Sequence, residues 1–391
     1  TELLVAPEKA EIMAEGCTKT AYDMAMGTSQ MLGCLTERLQ DISEDASLTC
    51  FGQEFNPETY AIAKADMLIK GGNASGMKYG DTLSDDAFSG YEFDYIISNP
   101  PFGIDWKREK VQVEAEAKRG FDGRFGPGLP AISDGQMLFM LNGVKKLKEG
   151  SGRMAIIQNG SSLFTGDAGS GASAIRRYVI EGDLVEAIIQ LPSDLFYNTG
   201  ISTYIWVLTR GKDLHRGGKI QLIDASRCFV KRRKNIGSKR VDLDDACIDL
   251  ILRAYEEFSN ETYEENGLVV ESKVFDNSYF GFTKVTVETA QADKDGKPVL
   301  KKGKYQPVKG ASDTEIIPLQ DDIDEYMKKN VLPYNPLAYI DPAKDKIGYE
   351  VPFTRLFYKF VAPQSSAAIF EDIKTLEAEE TILMKELFGH A

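Results

Sequence analysis

The chain has 391 residues and a formal charge of −14, with 46 lysines and arginines against 60 aspartates and glutamates. That balance repels nucleic acid unless the cations are clustered, because phosphate contacts supply most non-specific affinity. With two histidines, His215 and His390, and five cysteines lacking any Cys-x-x-Cys pair, the composition excludes histidine acid–base catalysis, histidine metal sites and a disulfide framework.

No apolar run approaches the roughly 20 residues of a membrane span, and no signal peptide is visible, which points to a cytoplasmic protein with reduced, packing cysteines. In chain order, Thr20 to Ser29 reads as a short strand, a small-residue turn and a helix opening at Gln30-Met31-Leu32, the place for a nucleotide-like cofactor. The next strand, Leu48 to Gln53, ends on Glu54, and Asn56-Pro57 opens a helix as N-cap and first helical residue. An acidic residue closing the second strand can take both hydroxyls of a ribose. Gly80-Asp81-Thr82-Leu83 ends another short strand on a third carboxylate. Singly, Asp23, Glu54 and Asp81 each read more readily as a turn or cap residue than as a ligand; together with Asn99 they favour function.

The strand-like run Phe93-Asp94-Tyr95-Ile96 stops on Ile97-Ser98-Asn99-Pro100-Pro101-Phe102. The exocyclic amine of adenine is a poor nucleophile because its lone pair is delocalised into the ring. A catalyst must accept hydrogen bonds from both N–H groups, and Asn99 Oδ1 and the Pro100 carbonyl can each accept one. Two prolines hold that carbonyl rigidly and bring no donor of their own. Phe102 then stacks on a base swung out of the duplex. The other use of the same residues is a Pro-Pro turn closing a buried strand.

Gly103 to Ser133 is long, glycine-rich and aperiodic, a candidate lid. The helix Gly135 to Lys148 carries Met137, Leu138, Leu141, Val144 and Leu147 on one face. Strands follow at Arg153 to Gln158, Leu184 to Leu191, Thr203 to Leu208 and Lys219 to Ile223, the last two joined by the polar loop Arg210 to Gly218 as a hairpin. Strands alternating with helices predict a mostly parallel sheet with helices on both faces. Cations cluster at Lys231-Arg232-Arg233-Lys234 with Lys239-Arg240, at Lys107-Arg108 with Lys118-Arg119 and Arg124, and at Lys301-Lys302-Lys304. The group after Asn99 is best placed for phosphates. Beyond residue 250 the pattern becomes irregular, punctuated by Asp293 to Pro298 and by Pro333, Pro336 and Pro342. Ile369, Ile373, Leu376, Leu383 and Leu387 then form a short heptad seam on a charged terminal helix, suited to a partner helix.

These motifs resemble the adenine-specific DNA methyltransferase (modification) subunit of type I restriction-modification systems, over nearly the whole chain. Further matching stretches are Gly52-Gln53-Glu54, Asn56-Pro57-Glu58-Thr59-Tyr60, Ser133-Asp134, Gly152-Arg153-Met154-Ala155, Leu191-Pro192, Leu195 to Ile201 and Ile223-Asp224-Ala225-Ser226. Late in the chain come Asp313-Thr314-Glu315, Val331-Leu332-Pro333 and Gly348 to Arg355. The resemblance implies S-adenosylmethionine as cofactor, with Asp23, Ala25, Gly27 and Thr28 at its methionine end, Glu54 on the ribose, Asp81 and Thr82 on the adenine ring, and Pro7 in a flanking segment. Asn99, Pro100, Pro101 and Phe102 would be catalytic. No metal is needed, since a sulfonium is already a good leaving group. The implied partners are DNA, a specificity subunit, a second copy of the chain and a restriction subunit.

The sequence departs from the family at the first loop, usually Asp-Pro-small-Cys-Gly-Ser-Gly. Here Met24 and Met26 replace the proline and cysteine, and Ser29 replaces a glycine that turns with φ above zero. The family also carries a helical N-terminal domain, and Thr1 stands just ahead of the cofactor loop. The expected architecture is an α/β class I S-adenosylmethionine-dependent methyltransferase, Rossmann-like, with a catalytic domain over 1–250, an irregular extension over 251–363 and a partner-binding helix over 364–391. Alternatives using the same motif are cytosine N4 or protein glutamine methylation, or a non-catalytic assembly module that retains the fold.

Overall fold

The computed structural model describes residues 1–360 and 362–389, so His390 lies outside the described residues. The described chain forms two compact units, Thr1–Phe353 and Thr354–Ala391. The first is built on one ten-stranded sheet. Its strands are β1 (Thr18–Asp23), β2 (Ser47–Glu54), β3 (Met77–Tyr79), β4 (Tyr95–Ser98), β5 (Arg153–Asn159), β6 (Val185–Gln190), β7 (Thr203–Thr209) and β8 (Lys219–Arg227). A separate two-stranded hairpin, β9 (Val230–Ile236) and β10 (Lys239–Asp242), precedes the last two sheet strands, β11 (Thr262–Glu265) and β12 (Leu268–Asp276). The order across the sheet is β11-β12-β8-β6-β7-β5-β4-β1-β2-β3.

Parallel pairing runs from β3 through β2, β1 and β4 to β5, each crossover being carried by helical or looped chain. The principal helices are α1 (Gln30–Ile42), α2 (Pro57–Ile69), α3 (Gln136–Lys146), α4 (Gly171–Glu181) and α5 (Asp245–Glu257). As the sequence predicts, Asn56 caps α2, its Oδ1 accepting from Glu58 N and Thr59 N at 3.0 Å each. β4 is buried along its whole length, so Tyr95, Ile96 and Ile97 read as one apolar run; full burial of each isoleucine is worth about 2 kcal/mol.

The expected hairpin of β7 with β8 does not form. β7 lies antiparallel between β5 and β6, while β8 pairs in parallel with β6, Ala187 opposite Gln221. Tyr204, Trp206, Val207 and Leu208 are all buried, and a strand buried this deeply needs hydrogen-bonded neighbours on both edges to satisfy its backbone.

The sheet continues beyond residue 250 through β11 and β12. The following segment, read from sequence as irregular, holds an antiparallel sheet in which Gly281–Ala290 pairs with Pro307–Pro318, Ala338–Ile340 and Lys346–Tyr349. Its core is small: Val285, Val287, Ile317, Met327 and Val331. Pro307–Pro318 is almost entirely exposed, so it shows no alternation of apolar and polar residues by which a strand is usually detected. Arg176 of α4 fastens this sheet to the large one by donating from Nε to the Tyr349 carbonyl at 2.6 Å. In the second unit, α6 (Ser366–Phe388) is capped by Ser365, whose side chain accepts from Ala368 N. No helix among the described residues is long and apolar enough to cross a membrane.

Candidate functional site

The parallel strands β1, β2 and β4 end along one crevice, where a cavity of about 780 Å³ opens. Such crevices at carboxyl strand ends are where open α/β sheets bind ligands. Ser98, the last residue of β4, donates from Oγ to Asp23 Oδ1 at 2.7 Å, tying the ends of β4 and β1 together. Asn99 follows directly. Asn99 and Pro101 are exposed on the cavity wall, whereas Pro100 is buried. Among the described residues, no hydrogen bond engages Asn99 Oδ1 or the Pro100 carbonyl. Two rigid acceptors are therefore left without a partner among the described residues.

Across the cavity stand the carboxylates. Glu54 accepts from Gly27 N at 2.9 Å and from Asn56 N at 2.8 Å, so each oxygen keeps capacity for another donor. Gly27 takes φ +54° to present that N–H. Asp81 Oδ1 accepts from Leu83 N at 2.7 Å and Ser84 N at 3.3 Å. Glu109 lies beside Asp81. Its carboxyl is raised above the ordinary range first by burial and then by its hydrogen bond and like charge with Asp81, against the opposing pull of its own backbone N–H and, less, of Arg108. Thr82 donates its hydroxyl to the Met24 carbonyl at 2.6 Å, bracing the first loop.

Of the expected residues, Ala25, Glu54, Asp81, Thr82 and Asn99 to Phe102 line this one cavity. Asp23, Gly27, Thr28 and Pro7 do not. Asp23 is fully buried next to Met24 and Ala25, with Oδ1 also accepting from Ala25 N at 3.1 Å, and Oδ2 buried without a partner. Gly27 acts through Glu54. Pro7 sits exposed on a short turn, Ala6–Glu8. The cavity also takes in Phe55, Glu109 and Phe139, which the sequence does not single out, together with Phe196 and Asn198 from the stretch Leu195 to Ile201, which the sequence matches to the family without giving either residue a role. Phe55 offers one signal, an aromatic ring left 59% exposed immediately after the acidic strand end.

Two expectations for the segment after the motif change. Gly103 to Ser133, read as a lid, is anchored by buried Trp106, Val113 and Phe125, and Trp106 Nε1 donates to the Ala131 carbonyl at 3.0 Å. It lacks periodicity because turns and one short helix, Lys110–Ala117, build it. Arg124, read as a phosphate contact, is buried and donates to Glu116, to the Thr82 and Leu83 carbonyls and to Asn142. It holds the Asp81 turn, while Lys107, Arg108, Lys118 and Arg119 remain exposed.

The departures in the first loop face inward. Met24 and Met26 are buried core residues, and Ser29 takes φ +64° and ψ +14°, the left-handed conformation expected of the glycine it replaces. That conformation costs a non-glycine residue about 1 to 2 kcal/mol, against about 0.5 to 1 kcal/mol of extra chain entropy for glycine. Ser29→Gly is therefore expected to raise stability by about 0.5 kcal/mol in thermal unfolding. A loss of stability would show that the weak Ser29 Oγ bond to the Ala63 carbonyl, at 3.5 Å, outweighs the backbone term.

A family model described as N-6 DNA methylase matches residues 7–295. A type I restriction enzyme methylase subunit (MjaIX) of Methanocaldococcus jannaschii is 27% identical over 315 residues, covering 79% of this chain and 51% of the relative. The HindI methylase subunit of Haemophilus influenzae is 28% identical over 299 residues, covering 74% of this chain and 63% of its own length. Among solved structures, the type I restriction-modification methyltransferase subunit from Streptococcus thermophilus superposes with TM-score 0.58 at 26% identity, over 71% of this chain and 55% of that one. The chain thus spans about half the length of the curated relatives it matches. The sheet order agrees with the class I S-adenosylmethionine-dependent methyltransferase architecture expected from the sequence. Because the family model runs over most of its length and across both the carboxylates and the Asn-Pro-Pro-Phe turn, the chain belongs to the N-6 DNA methylase family.

Proposed function

We propose that this chain transfers a methyl group from S-adenosylmethionine to the N6 amine of an adenine turned out of duplex DNA, as the modification subunit beside a separate specificity subunit. The observation that carries this reading is the meeting, in one cavity, of the open acceptors Asn99 Oδ1 and Pro100 O with the carboxylates of Glu54 and Asp81. The donor set fits the cofactor: Glu54 for a ribose diol, Asp81 for the amine of its adenine, and the buried, unpartnered Asp23 Oδ2 at the cationic methionine end. Bound there, the cofactor supplies a methyl group on a sulfonium. Asn99 and Pro100 accept the two amine N–H groups, localise the nitrogen lone pair and stabilise the positive charge that builds on it. Phe102 offers a face for the base, and its neighbour Pro101 keeps the turn rigid. Calorimetry tests the reading: the chain binds S-adenosylmethionine at one site, and absence of heat with an intact fold would sink it.

Asp23 adds a pH signature. Burial pushes its carboxyl up to about 7, partly opposed by the Ser98 hydroxyl and the Ala25 N–H, with the nearby charge of Glu54 adding to the rise. The native state then binds a proton that the unfolded chain, titrating near 3.8, releases. The contribution of Asp23 to stability is greatest at low pH and falls as pH rises from 3.8 to about 7. A cationic cofactor favours the ionised form. Its affinity is expected to fall below pH 7, by up to about tenfold per pH unit, and to be flat with pH in Asp23→Asn. A flat profile in the wild type would remove Asp23 from the cofactor's surroundings.

A further inference from the structure

The acidic chain must meet DNA somewhere, and the cations after Asn99 are fewer than the sequence suggests, since Arg124 is buried. The hairpin β9–β10 is different. Arg232 and Lys239 are both held by Asp242, at 2.6 and 2.9 Å, which stiffens it. Lys231, Arg233, Lys234 and Arg240 are exposed and enter no ion pair among the described residues. Lys231 and Arg233, two apart on one strand, project to the same side about 7 Å apart. Four free cations thus sit on one short ribbon, whereas in the segment after Asn99 Lys107 and Arg119 are paired with Asp105 and Glu116 and only Arg108 and Lys118 enter no ion pair among the described residues.

The hairpin is also tied to that cavity. The loop between β6 and β7 supplies Phe196 and Asn198 to the cavity wall. The same loop accepts the hairpin's backbone: Ser238 N donates to the Tyr197 carbonyl at 2.9 Å and Arg240 N to the Asp194 carbonyl at 2.8 Å. Gly237 turns at φ +59° with the Tyr197 carbonyl so close that a Cβ would strike it. The Lys239 ammonium lies 5.1 Å from the centre of the Tyr197 ring, which is 60% exposed. A second concavity of about 420 Å³, lined by Lys231, Arg232 and Arg240 with Asp194, opens where hairpin and loop meet.

We propose that the hairpin β9–β10 grips the DNA backbone beside the target base, its four free cations binding phosphates while its docking on the 191–202 loop fixes their position relative to Asn99. This rests on the DNA reading above. The chemistry it selects is a polyanionic backbone without base preference, because the arm carries charge and few base-reading amides.

The test compares three proteins binding a short fluorescent duplex of random sequence across a salt series. They are the wild type, the hairpin variant Lys231→Gln/Arg233→Gln/Lys234→Gln/Arg240→Gln, and a control variant Lys301→Gln/Lys302→Gln/Lys304→Gln that removes charge from another exposed hairpin. The wild type should bind with a steep salt dependence. The hairpin variant should lose affinity and about three to four from the slope of log affinity against log salt, at roughly 0.9 per phosphate contact. The control should keep the wild-type slope, and all three should bind S-adenosylmethionine alike. A hairpin variant with the wild-type slope, or a control that loses as much, overturns the arm while leaving the DNA reading in place. A wild type that binds no duplex even at low salt overturns both.

Discussion

Asn99→Ala is expected to lower methyl transfer by about 10²-fold or more, since it removes one preorganised acceptor from the position where charge develops. S-adenosylmethionine binding should stay within a few fold, because the carboxylates proposed to hold it reach the cavity from β2 and from the turn after β3, while Asn99 follows β4. Glu54→Ala should do the reverse. It strips the acceptor of both Gly27 N and Asn56 N, so cofactor affinity falls while any transfer at saturating cofactor is less affected. Measuring rate and cofactor affinity on both variants separates the two roles. An Asn99→Ala protein that methylates at the wild-type rate would end the catalytic assignment.

The double substitution Ile373→Asp/Leu376→Asp is expected to abolish binding to a specificity subunit while leaving cofactor affinity unchanged. On α6, Ile369, Ile373, Leu376, Leu383 and Leu387 are between 45% and 74% exposed. Burying each such side chain fully at an interface is worth about 1.5 to 3 kcal/mol, so introducing two charges into that seam should remove most of the association energy. The measurement is a pull-down with the specificity subunit, paired with calorimetry on the same variant. Retained capture would remove the helix from the interface. Lost cofactor binding would mean that the seam supports the chain's own fold.

Much of the fold is legible because strand-like and helical stretches alternate before residue 210, and some of the helices open on a plain cap, as at Asn56. The position of β7 is not, since a run such as Thr203 to Thr209 states that it needs two neighbours without stating which. The smaller sheet escapes for the opposite reason: Pro307–Pro318 buries almost nothing, so hydrophobic periodicity carries no trace of it. In the site, Glu54, Asp81 and Asn99 each close or follow a strand, a local pattern. Glu109, Phe139 and Phe196 reach the cavity from a loop, a helix and the β6–β7 connection, and only the tertiary arrangement brings them there. Arg124 shows the same limit for charge. Its cation is plain in the sequence, but its place inside the Asp81 turn depends on Glu116, with Nη2 to Oε2 at 2.7 Å, and on carbonyls supplied by a distant segment.

The central claim is chemical: an amide and a proline carbonyl at the end of β4 activate the exocyclic amine of adenine. It is tested most directly by supplying the chain and its specificity subunit with methyl-labelled S-adenosylmethionine and DNA, digesting the product to nucleosides and identifying the labelled one. The account predicts label in N6-methyladenosine of the deoxy series, formed about 10²-fold or more slowly after Asn99→Ala. Label in N4-methylcytosine, or on protein glutamine with none in DNA, would contradict it.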